Sequence, residues 1–564
     1  MRDHELMAEA LRHGRGQIDR GELRGALEVE QAQGGLIRAG NNLATRESLE
    51  REQRMIAVVD RGIGRFERLG GEREFDPSER LREEQQRAMH HVLDSRDFAI
   101  NLRGAAGTGK TATLYEIDLG LRDAGREIVA VAPTRSAVEE LHKVGFHDAM
   151  TISRLLEANT ELPSLLGRVL VVDEAGMVSG RQMEGLLKLA EREGARILFS
   201  GDTRQIQSVE ASDALRILER ESQIKSVSLI GVQRQTQAEY REAIQTLRQV
   251  PEQGFQKLEQ LGARREVPYL ERPQAVASVY RELTTDPTRK VLVVAGTHEE
   301  IGRITHAIRD GMKQSGDLGP GKIFERHTPL QWTEAQMKDL SKYQQGQVLL
   351  FHRSSHGIAR NEALVVERAV ASHIIARDLN GGERMVSPTQ ARSFSVHERS
   401  QIDISPGDRL LLTGNRREAD FRATNGELVK VCGVDGGRIQ LEDGRTLPAN
   451  YRDFDHGYAI TAHRSQGKTV DSVVLSGDMM KQEQFYVAVS RGRDGIAVIT
   501  SNVDQLRESL GISSARPSAT ELAREQAKIQ PAQEHGVAHP PMQKIEQPIP
   551  RNKVALGHDI GMGF

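Results

Sequence analysis

Short apolar runs alternate with helical patterns of hydrophobic residues between residues 77 and 235. Strands that alternate with helices in this way are typical of a parallel α/β sheet. Some of the runs are nearly continuous in apolar residues, as in strands buried on both faces. The pattern therefore predicts one α/β unit, with strands at 98–102, 128–132, 169–173 and 196–200.

A second set of apolar runs follows, at 291–295, 472–476 and 496–500. Residues 320–455 between them differ, because their short strands are separated by Gly, Asp and Asn turns, which is typical of antiparallel sheets. The sequence thus predicts a second α/β lobe whose two parts, 236–319 and 456–512, flank a small β insertion.

The two ends of the chain lack this strand pattern. Residues 1–76 predict a helical N-terminal region, in which Thr45 is a candidate N-cap and Glu47 lies in the first turn, where the helix dipole favours negative charge. Residues 513–564 are rich in Pro, Gln, Ala and charge, so we expect a disordered tail with too little apolar material to bury.

Composition limits the location and the partners of the protein. No apolar run is long enough to span a membrane, and the polar N-terminus lacks the apolar stretch of a secretory signal. The single cysteine, Cys432, suits a reducing cytoplasm, where we expect the protein to reside. The formal net charge is −3, so a nucleic-acid site would have to be a local basic groove.

A glycine-rich loop carries the first chemical signal. Gly104, Gly107, Gly109, Lys110 and Thr111 belong to a G-x-x-x-x-G-K-[ST] pattern that follows a predicted strand and opens a helix. Its glycines let backbone N–H groups point at phosphate oxygens, and the helix N-terminus adds a favourable field. We expect this loop to bind ATP, with Lys110 at the β and γ phosphates and Thr111 on Mg²⁺.

Two acids end a later apolar strand. Asp173 and Glu174 follow residues 169–172, about 60 residues after the loop, as in many P-loop ATPases. This placement predicts that Asp173 lies near Mg²⁺ and that Glu174 orients and deprotonates the attacking water.

Six further segments occur in the order found in superfamily 1 helicases. The chain resembles the RecD-like, 5′-to-3′ class, and within it the helicase portion of conjugative relaxases of the MobF family. The resemblance implies two RecA-like lobes and an SH3-like fold for the β insertion. The segments that carry it, beyond the loop and the two acids, are 81–85, 132–134, 201–205, 233–235, 458–467 and 486–491.

The resemblance also implies roles for residues around the nucleotide. Gln85 would read adenine, Gln205 would sense the γ phosphate, and Arg234 and Arg491 would act as arginine fingers in cis. Gln466 and Gly467 would complete the nucleotide site.

Four residues are expected to contact DNA: Pro133, Thr134, Thr461 and His463. The threonines could instead only cap helices, and His463 could be a packing residue. Trp332, in the insertion, could stack on a base or be buried in a core.

The function that follows is an ATP- and Mg²⁺-dependent DNA helicase or translocase. It would act on single-stranded DNA or a single-strand/duplex junction, 5′-to-3′, in conjugative plasmid or mobile-element DNA processing, together with other conjugation proteins. A vestigial single-strand-binding module and an RNA helicase remain alternatives. A relaxase nicking domain is not expected, because no tyrosine precedes Tyr115 and residues 1–80 hold only His4 and His13.

Overall fold

The structure, a computed structural model, describes residues 1–13, 18–105, 107–157, 164–205, 213–231, 234–370, 372–378, 380–418 and 421–529. Its buried hydrophobic residues form separate clusters. One cluster lies on each face of each parallel sheet, two lie in the β insertion, and a small one joins the two ends of the chain.

The N-terminal region is mostly helical, but it also contains a β-hairpin that the sequence pattern did not predict. Thr45 caps the third helix as expected, since its hydroxyl accepts the backbone N–H of Ser48. The hairpin was missed because each strand has only four residues. The elements are α1 (Asp3–His13), α2 (Arg20–Ala32), β1 (Leu36–Ala39), β2 (Asn42–Thr45) and α3 (Arg46–Arg61).

The first lobe is a six-stranded, fully parallel sheet with helices on both faces. Its strand order is β5-β4-β6-β7-β3-β8. The elements are α4 (Glu83–Leu93), β3 (Ala99–Gly104), α5 (Lys110–Asp123), β4 (Ile128–Ala132), α6 (Arg135–Lys143), β5 (Met150–Thr151), α7 (Ile152–Leu156), β6 (Val169–Val172), α8 (Gly180–Glu193), β7 (Arg196–Gly201), α9 (Ala214–Glu221) and β8 (Lys225–Leu229).

In the second lobe, helices pack on both faces of a new parallel sheet. Its five strands have the order β24 (Ala459–Thr461), β10 (Val291–Ala295), β25 (Val470–Ser476), β26 (Gly492–Thr500) and β9 (Arg264–Glu266), so the chain leaves the sheet after β10 and re-enters it at β24. The elements before the exit are α10 (Ala238–Gln249), α11 (Pro251–Gln260), β9 (Arg264–Glu266), α12 (Arg272–Leu283), β10 (Val291–Ala295) and α13 (His298–Ser315).

The insertion is antiparallel, as predicted, but it holds two sheets, of six and five strands, and a separate short hairpin. Arg309 on α13 anchors it to the second lobe, because its guanidinium makes two 2.9 Å hydrogen bonds to the buried Asp408 carboxylate. The elements are β11 (Lys322–Pro329), α14 (Glu334–Lys338), β12 (Val348–Phe351), β13 (Ala363–Ala369), β14 (Ile374–Arg377), β15 (Glu383–Val386), β16 (Phe394–Ile404), β17 (Arg409–Leu412), β18 (Arg416–Arg417), β19 (Arg422–Ala423), β20 (Leu428–Asp435), β21 (Arg438–Leu441), β22 (Thr446–Leu447) and β23 (Phe454–His456).

Residues 519–529, which the sequence placed in a disordered tail from residue 513, form a helix. Leu522 is buried against the N-terminal hairpin, and the buried Glu52 carboxylate accepts the backbone N–H of Ala519 and of Thr520. The helix was not predicted because the tail as a whole has the composition of a disordered segment, and the amphipathic pattern within it is short. Residues 530–564 lie outside the described residues. The last elements are β24 (Ala459–Thr461), α15 (Ala462–Ser465), β25 (Val470–Ser476), α16 (Gln482–Val489), β26 (Gly492–Thr500), α17 (Val503–Leu510) and α18 (Ala519–Ile529).

The predicted α/β class, with two parallel-sheet lobes and an antiparallel insertion, is confirmed. Among the described helices, none has the length and apolar character needed to cross a membrane.

Candidate functional site

The glycine-rich loop joins β3 to α5 at the carboxyl edge of the first sheet. Gly107 and Gly109 take the positive φ angles of 81° and 84° that favour glycine. A Cβ at Gly104 would lie 2.5 Å from Cγ of Lys110, so glycine makes room for the lysine stem. The Lys110 ammonium is buried and has no hydrogen-bond partner among the described residues, as expected of a group that binds an anion.

The two acids follow β6, two strands from the loop in the same sheet. Ser200 Oγ donates to Asp173 Oδ1 at 2.8 Å, and burial, followed by the nearby Glu174 carboxylate, raises the pKa of Asp173. Glu174 has a φ of 48°, a left-handed conformation that is uncommon for a non-glycine residue. Such a strained residue beside a buried carboxylate is typical of a functional site.

Arg234 and Arg491 lie side by side at the junction of the lobes. Their guanidiniums donate to backbone carbonyls, Arg234 to Ser490 O and Arg491 to Val487 O, each at 2.8 Å. Burial and then the neighbouring Arg491 charge lower the pKa of Arg234 to about 9, and burial also lowers that of Arg491. Neither forms a salt bridge with a carboxylate in the described chain.

Among the carboxylates, Glu174 has the largest electrostatic effect on the two arginines, because its charge raises the pKa of each. The phosphate loop, the acids and the two arginines therefore share one site. The buried Lys110 ammonium, the buried Arg491 and the half-buried Arg234 lie beside two carboxylates there, and the excess positive charge suits a polyphosphate.

Gln205 lies beside a contact between the lobes that sequence reasoning missed. Its side-chain amide is 3.5 Å from Asp202 Oδ2, and Asp202 Oδ1 pairs with Arg248 of α10 at 3.1 Å. Nothing in the sequence marks Arg248, because the pair joins residues 46 positions apart.

Gln85 is buried against the end of the phosphate loop. Its amide nitrogen donates to Gly109 O and to Thr113 Oγ1, both at 3.2 Å, so its hydrogens are already used within the protein. Gln466 and Gly467 form the turn after α15, where Gly467 has a φ of 75°; their part in nucleotide binding stays a prediction. Gln233 lies outside the described residues.

Thr134 and Thr461 are helix N-caps at equivalent places in the two lobes. Thr134 follows β4 and Pro133 and accepts the N–H of Ala137, while Thr461 ends β24 and accepts that of Arg464. Two more threonines share this arrangement. They were missed because they lie outside the motifs, although a threonine placed between a strand and a helix was a usable signal: Thr151 on β5 and Thr297 after β10.

These four threonines lie at the carboxyl ends of neighbouring strands, β5 and β4 in the first lobe and β24 and β10 in the second. For Thr134 and Thr461, helix capping is the alternative role that the sequence analysis gave beside DNA contact. Thr297 is exposed and the other three are half-buried, so their hydroxyls are accessible to a ligand such as a backbone phosphate.

His463 is partly buried in the segment that carries Thr461. Burial, and then the Arg464 charge, lower its pKa, so it is neutral at pH 7. Its Nε2 is buried without a hydrogen-bond partner in the described structure, and its contact with DNA stays a prediction. Trp332 is half-buried and packs edge-on against Tyr343, with ring centroids 5.1 Å apart, beside a cluster of the insertion.

An arginine-rich groove of about 1200 Å³ separates α6 and β5 from the insertion. The pKa of Arg135 is lowered by burial and then by the like charges of Arg417, Arg360 and Arg154. Eight arginines and five acidic residues line the groove, so it is locally basic on a chain of net charge −3.

The insertion touches the first lobe on both sides of these arginines. Thr424 Oγ1 donates to the Glu139 carboxylate at 2.7 Å, and Arg353 pairs with Glu157 at 3.3 Å. These contacts are exposed and therefore weak. The insertion thus forms one wall of the groove and is joined to the first lobe there by weak contacts.

Residues 80–268, which form the first lobe and the start of the second, match a known domain family described as AAA domain. The Escherichia coli multifunctional conjugation protein TraI is 25% identical over 569 residues, which cover 86% of this chain and 31% of TraI. The ATP-dependent RecD2 DNA helicase of Deinococcus radiodurans is 32% identical over 161 residues, 28% of this chain and 22% of that protein.

The resemblance to RecD-like helicases and to the helicase portion of conjugative relaxases is thereby confirmed. The chain spans under a third of the length of TraI. A crystal structure of Pif1 helicase from Bacteroides in complex with ADP-AlF3 and single-stranded DNA is 17% identical, with a TM-score of 0.38, over 80% of this chain and 98% of that one.

Proposed function

We propose that this protein is an ATP-driven DNA helicase or translocase that moves 5′-to-3′ along single-stranded DNA during conjugative or mobile-element DNA processing. The observation that carries the proposal is the group of three cations around Asp173 and Glu174, which consists of the buried Lys110 ammonium, the buried Arg491 and the half-buried Arg234. Placing uncompensated charge in a buried site is costly, so it is retained where a ligand of opposite charge binds.

In this proposal the residues divide the hydrolysis of ATP between them. Lys110 and the loop N–H groups hold the β and γ phosphates, and Glu174 takes a proton from the water that attacks the γ phosphorus. Arg234 and Arg491 stabilise the charge that develops on the γ-phosphate oxygens. Gln205 senses the γ phosphate, and the Asp202–Arg248 pair beside it transmits the presence or loss of that phosphate to the second lobe.

Mg²⁺ fits the residues present. The Thr111 hydroxyl and the Asp173 carboxylate are oxygen ligands of the kind Mg²⁺ prefers, and a cation would offset the burial that raises the pKa of Asp173. When bound, the ion supplies positive charge to the phosphate oxygens.

The nucleic acid is proposed to cross both lobes along the four capping threonines and to pass under the insertion. Thr134 and Thr151 on one lobe, and Thr297 and Thr461 on the other, lie at helix N-termini that can bind successive phosphates. Because Arg234 and Arg491 join the lobes at the nucleotide, closing around ATP and opening after hydrolysis moves the two sets of threonines relative to each other.

The test is the steady-state ATPase rate with and without single-stranded DNA, for the wild type and for Lys110→Ala. We expect strong stimulation by DNA in the wild type and no hydrolysis above background in a folded Lys110→Ala protein. Adding RNA of equal length separates the DNA enzyme from an RNA helicase. DNA binding without any ATP hydrolysis in the wild type would make the chain a vestigial binding module.

A further inference from the structure

The chain crosses between the two lobes twice. The first crossing lies between β8 and α10, and the second is the segment 512–518, which leads from α17 of the second lobe to α18 on the N-terminal region. We call residues 512–518 the strap. The two crossings contact opposite ends of one helix, α16, whose eight residues make it about 12 Å long at 1.5 Å per residue.

The strap is bound at the start of α16. The Glu483 carboxylate is 6% exposed and accepts the Ser513 hydroxyl together with the backbone N–H and the hydroxyl of Ser514, the last two at 2.7 Å. The backbone N–H of Gln482 also donates to Ile512 O, at 3.1 Å. A buried charge is costly unless it is hydrogen-bonded, and the hydrogen bonds that Glu483 accepts within the described chain come from the strap.

The other end of the strap is bound to the first lobe. The Arg216 guanidinium of α9 donates to Arg516 O. On α3, which packs in a core cluster of the first lobe, the buried Glu52 carboxylate accepts the first backbone N–H groups of α18 and the Thr520 hydroxyl. The two residues that lead from Ser514 to Arg516 span at most about 7 Å. A short stretch of chain therefore fastens α16 to the first lobe.

The far end of α16 leads to an arginine of the candidate site. Arg491 follows this helix, and its guanidinium donates back to Val487 O at 2.8 Å, while Arg234 of the first crossing donates to Ser490 O at 2.8 Å. Residues 485–489 are buried, so the closely packed helix and Arg491 move together. A displacement of about 1 Å at a reacting centre can lower a rate by about 10²-fold. The position of the start of α16 thus affects the placement of Arg491.

We propose that Glu483 is a positioning residue for Arg491: by binding the strap, it fastens α16 to the first lobe and sets where Arg491 meets the γ phosphate. The inference rests on the proposed function as an ATPase. Lys110 and the phosphate loop lie on the first lobe and do not depend on the strap. Loss of the strap contacts should therefore slow the hydrolysis of ATP and leave the binding of ATP unchanged.

The first experiment measures kcat and KM for ATP at saturating single-stranded DNA, beside thermal melts. The variants are Glu483→Ala, Glu52→Ala, their combination, and the matched control Glu508→Gln, an exposed carboxylate on α17. We expect either alanine variant to lower kcat by about tenfold or more with KM unchanged, and the combination to be no slower, because losses along one connection are not additive. Glu483→Gln should keep part of the activity, since its amide oxygen still accepts from the strap.

A second experiment follows the opening of the lobes without hydrolysis. Labels at Lys188→Cys on α8 and Gln256→Cys on α11, both exposed positions, report the distance between the lobes by fluorescence energy transfer. The exposed Cys432 is first replaced by serine. We expect a wider distribution of distances in Glu483→Ala than in the wild type, and the same widening in Glu52→Ala.

The outcomes separate the inference from the proposed function. Additive losses of kcat in the combined variant, or a wild-type kcat in Glu52→Ala, would show that Glu483 only stabilises its own helix and would overturn the inference. Ser514→Ala weakens the same contact from the strap side, so the test does not depend on the folding of Glu483→Ala. A wild type that hydrolyses no ATP would contradict the proposed function, and unchanged distances between the lobes would then overturn the role of the strap as well.

Discussion

The Asp202 carboxylate of the first lobe pairs with the Arg248 guanidinium of the second at 3.1 Å, and both groups are largely buried. Arg204 strengthens the link, because its guanidinium donates to Arg248 O at 2.8 Å. Gln205 follows directly in the chain. Gln205, which is expected to sense the γ phosphate, therefore lies next to a contact with the second lobe. In the proposed mechanism the second lobe moves as ATP binds and is hydrolysed.

Replacing Arg248 with alanine should uncouple this link. The Asp202 carboxylate would remain buried without its partner, a change that costs about 3–5 kcal/mol in comparable pairs. We expect lower thermal stability and a kcat for DNA-stimulated ATP hydrolysis reduced by about tenfold or more, while ATP binding is retained. The double variant Asp202→Asn with Arg248→Ala should recover stability but not kcat. Recovery of both would show that the pair only stabilises the fold.

Glu174→Gln should bind ATP but hydrolyse it about 100-fold or more slowly, the usual scale for loss of a general base. Glutamine keeps the size of the side chain and removes only its ability to accept the proton. The measurement pairs binding of labelled ATP with single-turnover hydrolysis. A variant that fails to bind ATP would assign Glu174 a structural or metal-related role, since the backbone there has a φ of 48°.

The arginine groove should govern affinity for DNA. Arg135→Ala and Arg154→Ala should each weaken single-strand binding and reduce the slope of log affinity against log salt by about one, because each removes one neutralised phosphate. A salt titration of fluorescent oligonucleotide binding measures this. Arg281→Ala, on α12 of the second lobe and outside this groove, is the control. Unchanged slopes for the groove variants would place the DNA path elsewhere.

The insertion should become less stable as the pH falls from 7 to 5. Burial lowers the pKa of His397 to about 4, and burial also lowers the pKa of His327 and His456, so the folded state favours neutral imidazole. In the unfolded state a histidine takes up a proton near pH 6.5. The stability that the neutral imidazole contributes above that pH is therefore lost as the pH falls below it, by up to about 3 kcal/mol for His397.

Asp453, 3.8 Å from His397, acts in the opposite direction. Burial raises its pKa to about 6, so the folded state gains from protonating it as the pH falls. In thermal melts between pH 5 and 7.5, His397→Asn should flatten the loss of stability and Asp453→Asn should steepen it, with the exposed His306→Asn as the control. Parallel curves for all variants would contradict this assignment.

Sequence patterns were sufficient for the strands of both sheets that are long and apolar. Residues 128–132 and 291–295 were predicted with the bounds that β4 and β10 have, because strands buried on both faces are continuous in hydrophobic residues. Strands β5 and β24 have only two and three residues and leave no periodic signal. The helix α18 was missed because its stability comes from contacts with Glu52 and Leu49, almost 500 residues earlier.

The candidate site likewise contains some residues that the sequence predicted and others that it did not. The glycines, Lys110 and Asp173 are recognisable because a phosphate loop requires those residue types in one order. Arg248 is not, since its partner is set by how the lobes pack. Gln85 shows the difference as well: its adenine-reading role follows from the motif and stays a prediction, whereas its hydrogen bonds to Gly109 and Thr113 could not be predicted from the sequence.

The central claim is directional movement along single-stranded DNA driven by ATP. It is tested most directly by the rate at which streptavidin is displaced from oligonucleotides biotinylated at one end, with Lys110→Ala as the inactive control. We predict rapid, ATP-dependent displacement from the 3′ end and little from the 5′ end. Absence of ATP-dependent displacement from either end, by a protein that hydrolyses ATP and binds the oligonucleotide, would contradict the account.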